Sequence, residues 1–214
     1  MLTTLLLIVL VLSYAGTFII TKVAVKQNIM DIPNIRSSHS KPTPRGGGLA
    51  IVLSWYIGII VFRFFGMIES NLFYALISGG LLAIISFLDD IYDIKPLYRI
   101  LFQFVTVILG LYFIGGFKNI YTNHSVLNHP FIFSCIAIIG VMWFINLYNF
   151  LDGIDGYAST EAIAVLFGMF LIVHNPIFLL LIFAVLGFLI WNWPKANLYG
   201  RYRQYTIGLC FNYS

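Results

Sequence analysis

Two short runs hold most of the chain's negative charge. Asp89-Asp90-Ile91-Tyr92-Asp93 and Asp152-Gly153-Ile154-Asp155-Gly156 contain five of the eight acidic residues. Both runs follow long apolar stretches. A carboxylate at bilayer depth costs roughly 2.5–3.5 kcal/mol, so acids gathered at span ends need a partner, and divalent-metal or phosphate chemistry is the usual one. Asp89 and Asp93 stand four apart and share a helix face if the preceding helix continues past the membrane, while Asp90 points elsewhere. Arg99 and Gln103, also four apart, open the next span toward the same polar cavity. The plainer reading is a solvated loop whose charges stop two helices, but adjacent aspartates repel each other and gain little without a cation. Farther along, Asn146, Asn149, Asp152 and Asp155 recur every three residues, a polar stripe ending in two carboxylates. Gly153 and Gly156 allow backbone or ligand to approach closely and mark a helix end. Interhelical hydrogen bonding accounts for the two asparagines; it does not account for the two charges.

A third polar segment reads Arg36-Ser37-Ser38-His39-Ser40-Lys41-Pro42-Thr43-Pro44-Arg45-Gly46-Gly47-Gly48. Its prolines stiffen the chain, and its glycines free backbone N–H groups at the start of the following span. A helix N-terminus preceded by glycine and flanked by Lys41 and Arg45 suits a diphosphate. A basic loop with turn residues has the same composition for orientation alone. His39 can serve as a base or ligand, although an exposed loop histidine is the commoner case. His124, His129 and His174 receive no role.

The elements that must carry these residues are membrane spans. With 60% hydrophobic and 9% charged residues and a mean hydropathy of +0.94, a water-soluble globule is excluded. The apolar runs approach the ~20 residues that a helix needs to cross the hydrocarbon core. No period-2 pattern of a barrel is present, so backbone satisfaction in lipid requires an all-α, polytopic helix bundle. About seven spans are expected, at 2–25, 47–68, 72–88, 99–117, 130–150, 157–173 and 176–193. The first lacks a basic leader and a small-residue cleavage site, and reads as an uncleaved span. Alternation places ten of the twelve Lys/Arg residues on one side, with Arg63 and Lys118 opposite. That side is then cytoplasmic and the N-terminus outside. Asp31 and both aspartate clusters fall on the same face, and Glu161 lies one turn into the sixth span. Cys135 and Cys210 imply no disulfide framework.

In this setting the motifs resemble a known family. Ile32-Pro33-Asn34-Ile35-Arg36-Ser37-Ser38-His39 with Pro42-Thr43-Pro44-Arg45-Gly46-Gly47-Gly48 is similar to the first cytoplasmic loop of bacterial polyprenyl-phosphate N-acetylhexosamine-1-phosphate transferases, of the glycosyltransferase family 4 type. Phe87-Leu88-Asp89-Asp90, with Arg99 and Gln103, resembles their second motif. The run from Asn146 through Asn149, Asp152 and Asp155 to Gly156 resembles their third and is the most specific. The likeness extends to about Tyr199, and its first loop leans toward the branch that begins O-antigen-type surface polysaccharides. The resemblance implies transfer of a sugar 1-phosphate from a UDP-N-acetylhexosamine to undecaprenyl phosphate, with UMP released and Mg²⁺ or Mn²⁺ as cofactor. It implies residence in the bacterial inner membrane and no nucleic-acid partner. On this reading Asp89, Asp90, Asp152 and Asp155 are the catalytic and metal residues. Lys41, His39, Arg45, Gly46, Gly47, Arg99, Asn146 and Asn149 bind substrate. Which hexosamine is used, and whether the chain forms a homo-oligomer, are left open.

The resemblance breaks after Tyr199, where the family continues with Met-Gly-Asp-x-Gly-Ser and this chain reads Gly200-Arg201-Tyr202-Arg203-Gln204-Tyr205. Back-translating Tyr199 to Gly208 as TAT GGG CGA TAC CGG CAG TAT ACT ATT GGG and reading one base later gives Met-Gly-Asp-Thr-Gly-Ser-Ile-Leu-Leu. Residues 1–199 are therefore expected to form the membrane domain and 200–214 an out-of-frame tail, leaving a chain inactive unless a second fragment completes it. A genuine basic tail is the alternative. Two further function classes are weaker. A CDP-alcohol phosphotransferase needs Ala-Arg after its Asp-x-x-Asp-Gly and later aspartates, where this chain has Thr160-Glu161 and none. An ion-coupled transporter places its acids near the midplane of repeated, broken helices.

Overall fold

The computed structural model describes residues 1–27, 29–31, 43–44, 46–92, 94–116, 120–121, 126–127, 129–151 and 156–193, with the backbone alone at 31, 43, 120–121, 126–127 and 149–151. Among them the elements run α1 (Leu2–Lys26), β1 (Met30–Asp31), β2 (Thr43–Pro44), α2 (Gly48–Phe64), α3 (Ser70–Ser78), α4 (Gly80–Tyr92), α5 (Pro96–Ile114), β3 (Ile120–Tyr121), β4 (Val126–Leu127), α6 (Pro130–Leu151), α7 (Tyr157–Val173) and α8 (Ile177–Asn192). The fold is a membrane-type helix bundle. Its strands are two-residue antiparallel pairings, Met30 with Pro44 and Ile120 with Leu127 at their ends. Four helical stretches are long and apolar enough to cross a membrane: Leu2–Lys26, Ser70–Tyr92, Pro96–Ile114 and Pro130–Tyr148. Gly48–Phe64, Tyr157–Val173 and Ile177–Asn192 are shorter apolar helices. Exposed Leu7, Ile19, Phe104, Ile139 and Ile172 give the bundle an outer surface suited to lipid.

The expected spans reappear with shifted ends. The third begins at Ser70 and runs beyond Leu88 to Tyr92, so Asp89 and Asp90 are helical. The fourth begins at Pro96, because proline at a first-turn position lacks only an N–H that has no intrahelical partner there. It closes at Gly115 and Gly116, both at positive φ, where the N–H of Gly116 reaches back to the carbonyl of Leu111 at 2.8 Å.

The chain divides into two compact units. In the first, comprising the described residues of Met1–Trp55 and Leu151–Ser214, α8 packs along both α1 and α7. The α1–α8 seam is built from small residues. A Cβ on Gly187 would stand 2.5 Å from the carbonyl oxygen of Leu10 and 2.8 Å from Cβ of Ser13, so only glycine allows this approach. Buried Ser13 donates to the carbonyl of Ala184, and Thr17 donates to the carbonyl of Ser13. Toward the end of α8, Trp191 donates its indole N–H to the Tyr14 carbonyl at 3.1 Å and packs its ring against Tyr14 and Phe18. Lys22 lies over the Phe18 ring, 4.2 Å from its centroid.

The second unit, Tyr56–Phe150, is organised around α5, which packs on α3 and α4. Gly79 separates α3 from α4. The Tyr56 hydroxyl donates to the Leu76 carbonyl at 3.0 Å, and a Cβ on Gly79 would lie 3.3 Å from that hydroxyl. This glycine pair, Gly79-Gly80, therefore admits a tyrosine from α2 at the helix junction.

Candidate functional site

The site residues that are described with side chains belong to the second unit, apart from the loop glycines of the first. Because α4 continues as a helix through Asp89, the carboxylate of Asp89 can serve the turn that follows. Its Oδ1 accepts the backbone N–H of Ile94 at 2.9 Å, and its Oδ2 accepts from Arg99 NH1, also at 2.9 Å. Proline at the first turn of α5 starts that helix early enough to bring Arg99 back to Asp89 across the connection. The pair is partly exposed, at 29% for Arg99 and 24% for Asp89. Asp90 is half-buried and engaged in an interaction of its own.

One turn up α5, Gln103 is 6% exposed. An amide this deep needs a polar partner, and it finds Asn146 of α6. The Asn146 Nδ2 donates to Gln103 Oε1 at 2.8 Å, while Gln103 Nε2 approaches Asn146 Oδ1 at 3.5 Å. The second N–H of Asn146 goes to the Met142 carbonyl at 2.8 Å. Residues four apart on a helix share a face, about 6 Å up the axis. Thus α5 carries one polar face, with Asp89 bound to its Arg99 and Asn146 bound to its Gln103.

The loop glycines have local reasons of their own. Gly46 has φ +88°, in the left-handed region. A Cβ on Gly47 would lie 2.7 Å from Cε2 of Phe188, so its bareness lets α8 pack against the start of α2. Gly48 faces open space. Gly156, at φ +71°, opens α7, and a Cβ there would lie 3.1 Å from Trp193. Of the remaining expected site residues, His39, Lys41, Arg45, Asp152 and Asp155 lie outside the described residues, as does Asp93. Asn149 is placed by its backbone on α6, one turn beyond Asn146.

Among the described residues, no three His, Cys, Asp or Glu side chains gather as metal ligands would. The donor chemistry of the aspartates nonetheless suits a hard divalent cation. Each Asp89 oxygen accepts one described hydrogen bond and retains acceptor capacity. One pairing escaped the reading of the sequence, and one residue it placed gains a new aspect. The Gln103–Asn146 pair joins residues 43 positions apart, which spacing along one helix cannot reveal. Glu161 has its Oε2 shielded from solvent with no hydrogen-bond partner among the described residues. Its place one turn into an apolar helix was the available signal.

The helices define the class, a polytopic membrane helix bundle with its described acid–guanidinium pair at the ends of α4 and α5. The chain belongs to glycosyl transferase family 4, whose profile matches residues 72–211, well over half its length. It is 29% identical over 202 residues to an undecaprenyl-phosphate alpha-N-acetylglucosaminyl 1-phosphate transferase of Thermotoga maritima, covering 92% of this chain and 60% of the relative. It is 27% identical over 195 residues to a probable undecaprenyl-phosphate N-acetylglucosaminyl 1-phosphate transferase of Bacillus subtilis, covering 86% and 53%. A phospho-N-acetylmuramoyl-pentapeptide-transferase of Dictyoglomus thermophilum is 27% identical over 190 residues, covering 80% and 59%. The chain thus spans between half and three-fifths of the length of these relatives.

Proposed function

We propose that this chain contributes to transfer of an N-acetylhexosamine 1-phosphate from a UDP-sugar to undecaprenyl phosphate, the first membrane step of O-antigen-type polysaccharide synthesis. The reaction belongs at the cytoplasmic face of a bacterial inner membrane, with the N-terminus outside. An oxygen of the lipid phosphate bonds to the sugar-bearing phosphorus, and the bridging oxygen leaves with UMP. The lipid phosphate, with a second pKa near 6, is already largely dianionic and needs no strong base. Asp89, Asp90, Asp152 and Asp155 would hold Mg²⁺ or Mn²⁺, which supplies charge neutralisation on the diphosphate. Lys41, Arg45 and the backbone of Gly46 and Gly47 would face phosphate oxygens, with His39 beside them.

The observation that carries this reading is the Asp89–Arg99 pair. A guanidinium held at 2.9 Å by a carboxylate keeps further N–H donors for phosphate oxygens. The pair sits beside Asp90, a second acid, within the family-matched region. In a form completed by the segment that follows Tyr199 in the family, Asp89→Asn in membranes supplied with UDP-N-acetylhexosamine and undecaprenyl phosphate is expected to lower turnover at least about a hundredfold and to change the Mg²⁺ dependence. Unchanged turnover and unchanged Mg²⁺ dependence would remove Asp89 from the site.

The tail favours one refinement, that residues 200–214 are read out of frame and that the polypeptide needs a segment bearing the third acidic motif to turn over. The family match reaches residue 211, so this refinement rests on the codon argument. Gene sequencing decides it: downstream DNA encoding further hydrophobic spans one base out of frame supports it, and DNA encoding none in that frame refutes it.

A further inference from the structure

We infer that Gln103 is a positioning residue that clamps α6 to α5, and that Asn146, held by that clamp, makes no hydrogen bond to a phosphate. This rests on the transferase reading for its functional meaning and on geometry for the clamp. Asn146 has two N–H groups. One donates to Gln103 Oε1 and the other to the Met142 carbonyl, each at 2.8 Å. A phosphate oxygen only accepts, so binding one through Asn146 would break a bond that satisfies a 6%-exposed glutamine. What Asn146 still offers is acceptor capacity at Oδ1, where Gln103 Nε2 approaches only at 3.5 Å. The ligand class it can take is therefore a donor, a hydroxyl or amide N–H.

The clamp also sets register. Gln103 lies one turn from Arg99 on the same face of α5, and Arg99 holds Asp89. Asn146 lies one turn before Asn149 on α6. The Gln103–Asn146 hydrogen bonds thus tie this turn of α6 to the turn of α5 that follows the Asp89–Arg99 pair. Gln103 is buried whereas Asn146 is exposed, so it is the glutamine that a slipped register would leave unsatisfied.

The test has two arms on the full chain, with Cys135 and Cys210 changed to Ser. In the first, Gln103→Cys and Asn146→Cys are combined, and a protease site is inserted between α5 and α6. A short bis-thiosulfonate linker is expected to hold the two halves together after cleavage; failure to cross-link in membranes overturns the clamp. In the second, turnover is measured in the form with the reading frame restored after Tyr199, for Gln103→Leu, Asn146→Leu, the double variant and the swap Gln103→Asn with Asn146→Gln. Each single variant is expected to lose about tenfold in kcat with little change in KM for the UDP-sugar, the double no more than either, and the swap to recover most of the loss. Multiplicative losses without rescue, or a KM effect confined to Asn146, overturn the positioning role. If the cross-link forms and no form of the chain turns over, the clamp stands and the transferase reading falls.

Discussion

Asp89 combines two tasks that pull in different directions. Its carboxylate closes the α4–α5 connection through the Ile94 N–H, and it holds Arg99. Both partners are about a quarter exposed, and a pair of that exposure at a helix end contributes little to folding, under about 1 kcal/mol. Arg99→Ala should therefore leave the detergent-solubilised thermal midpoint nearly unchanged while lowering turnover about a hundredfold, and Arg99→Lys should recover only part of it, since a lysine lacks the planar fork. A large drop in thermal midpoint with proportionate loss of activity would make the pair structural. At this scale the sequence was partly legible. The spacing of Asp89, Arg99 and Gln103 placed them on facing helix ends, but which acid the arginine would choose depends on where α5 begins, and that is set by Pro96.

Between helices, packing explains Gly187, which the sequence leaves without a role, and Gly47, which it suggests for ligand. Gly187 meets backbone, the Leu10 carbonyl, whereas Gly47 meets the edge of the Phe188 ring, a side chain able to turn. Gly187→Ala should cost roughly 1–3 kcal/mol, read as a lowered thermal midpoint, and no side-chain change should restore it. Gly47→Ala should cost less and be rescued by Phe188→Leu. If the rescued double variant folds normally but stays inactive, Gly47 serves ligand as well as packing. Gly48→Ala, facing open space, should leave the midpoint unchanged. Span positions were legible because hydropathy reports them directly, whereas the ends of the fourth, expected at 99–117, are set by Pro96 and by Gly115-Gly116. The junction at Gly79 was not, since Gly79-Gly80 sits in an uninterrupted apolar run and only the Tyr56 hydroxyl, on another helix, shows its use. The α1–α8 seam was equally hidden: Ser13, Ala184 and Gly187 acquire meaning only when the two helices meet.

For the whole molecule, the motifs made the family legible from the sequence, and the profile match over residues 72–211 bears that out. The helix bundle follows from composition together with the missing period-2 pattern, because helices and closed barrels are the two ways to satisfy a backbone in lipid. Chemistry is less legible at this scale, since Asp152 and Asp155 stand among glycines in the sequence, where helical periodicity gives no guide, and they lie outside the described residues. The central claim is that carboxylates and Arg99 at these helix ends serve phosphosugar transfer. Its most direct test uses membranes carrying the chain, from the gene as it stands and with the frame change proposed after Tyr199 reversed. These are incubated with radiolabelled UDP-N-acetylhexosamine, undecaprenyl phosphate and Mg²⁺. The account predicts labelled lipid and stoichiometric UMP from the restored form, lost on chelation and in Asp89→Asn. Restored protein that inserts in the membrane yet forms no labelled lipid, or forms it equally well as Asp89→Asn, would contradict the account.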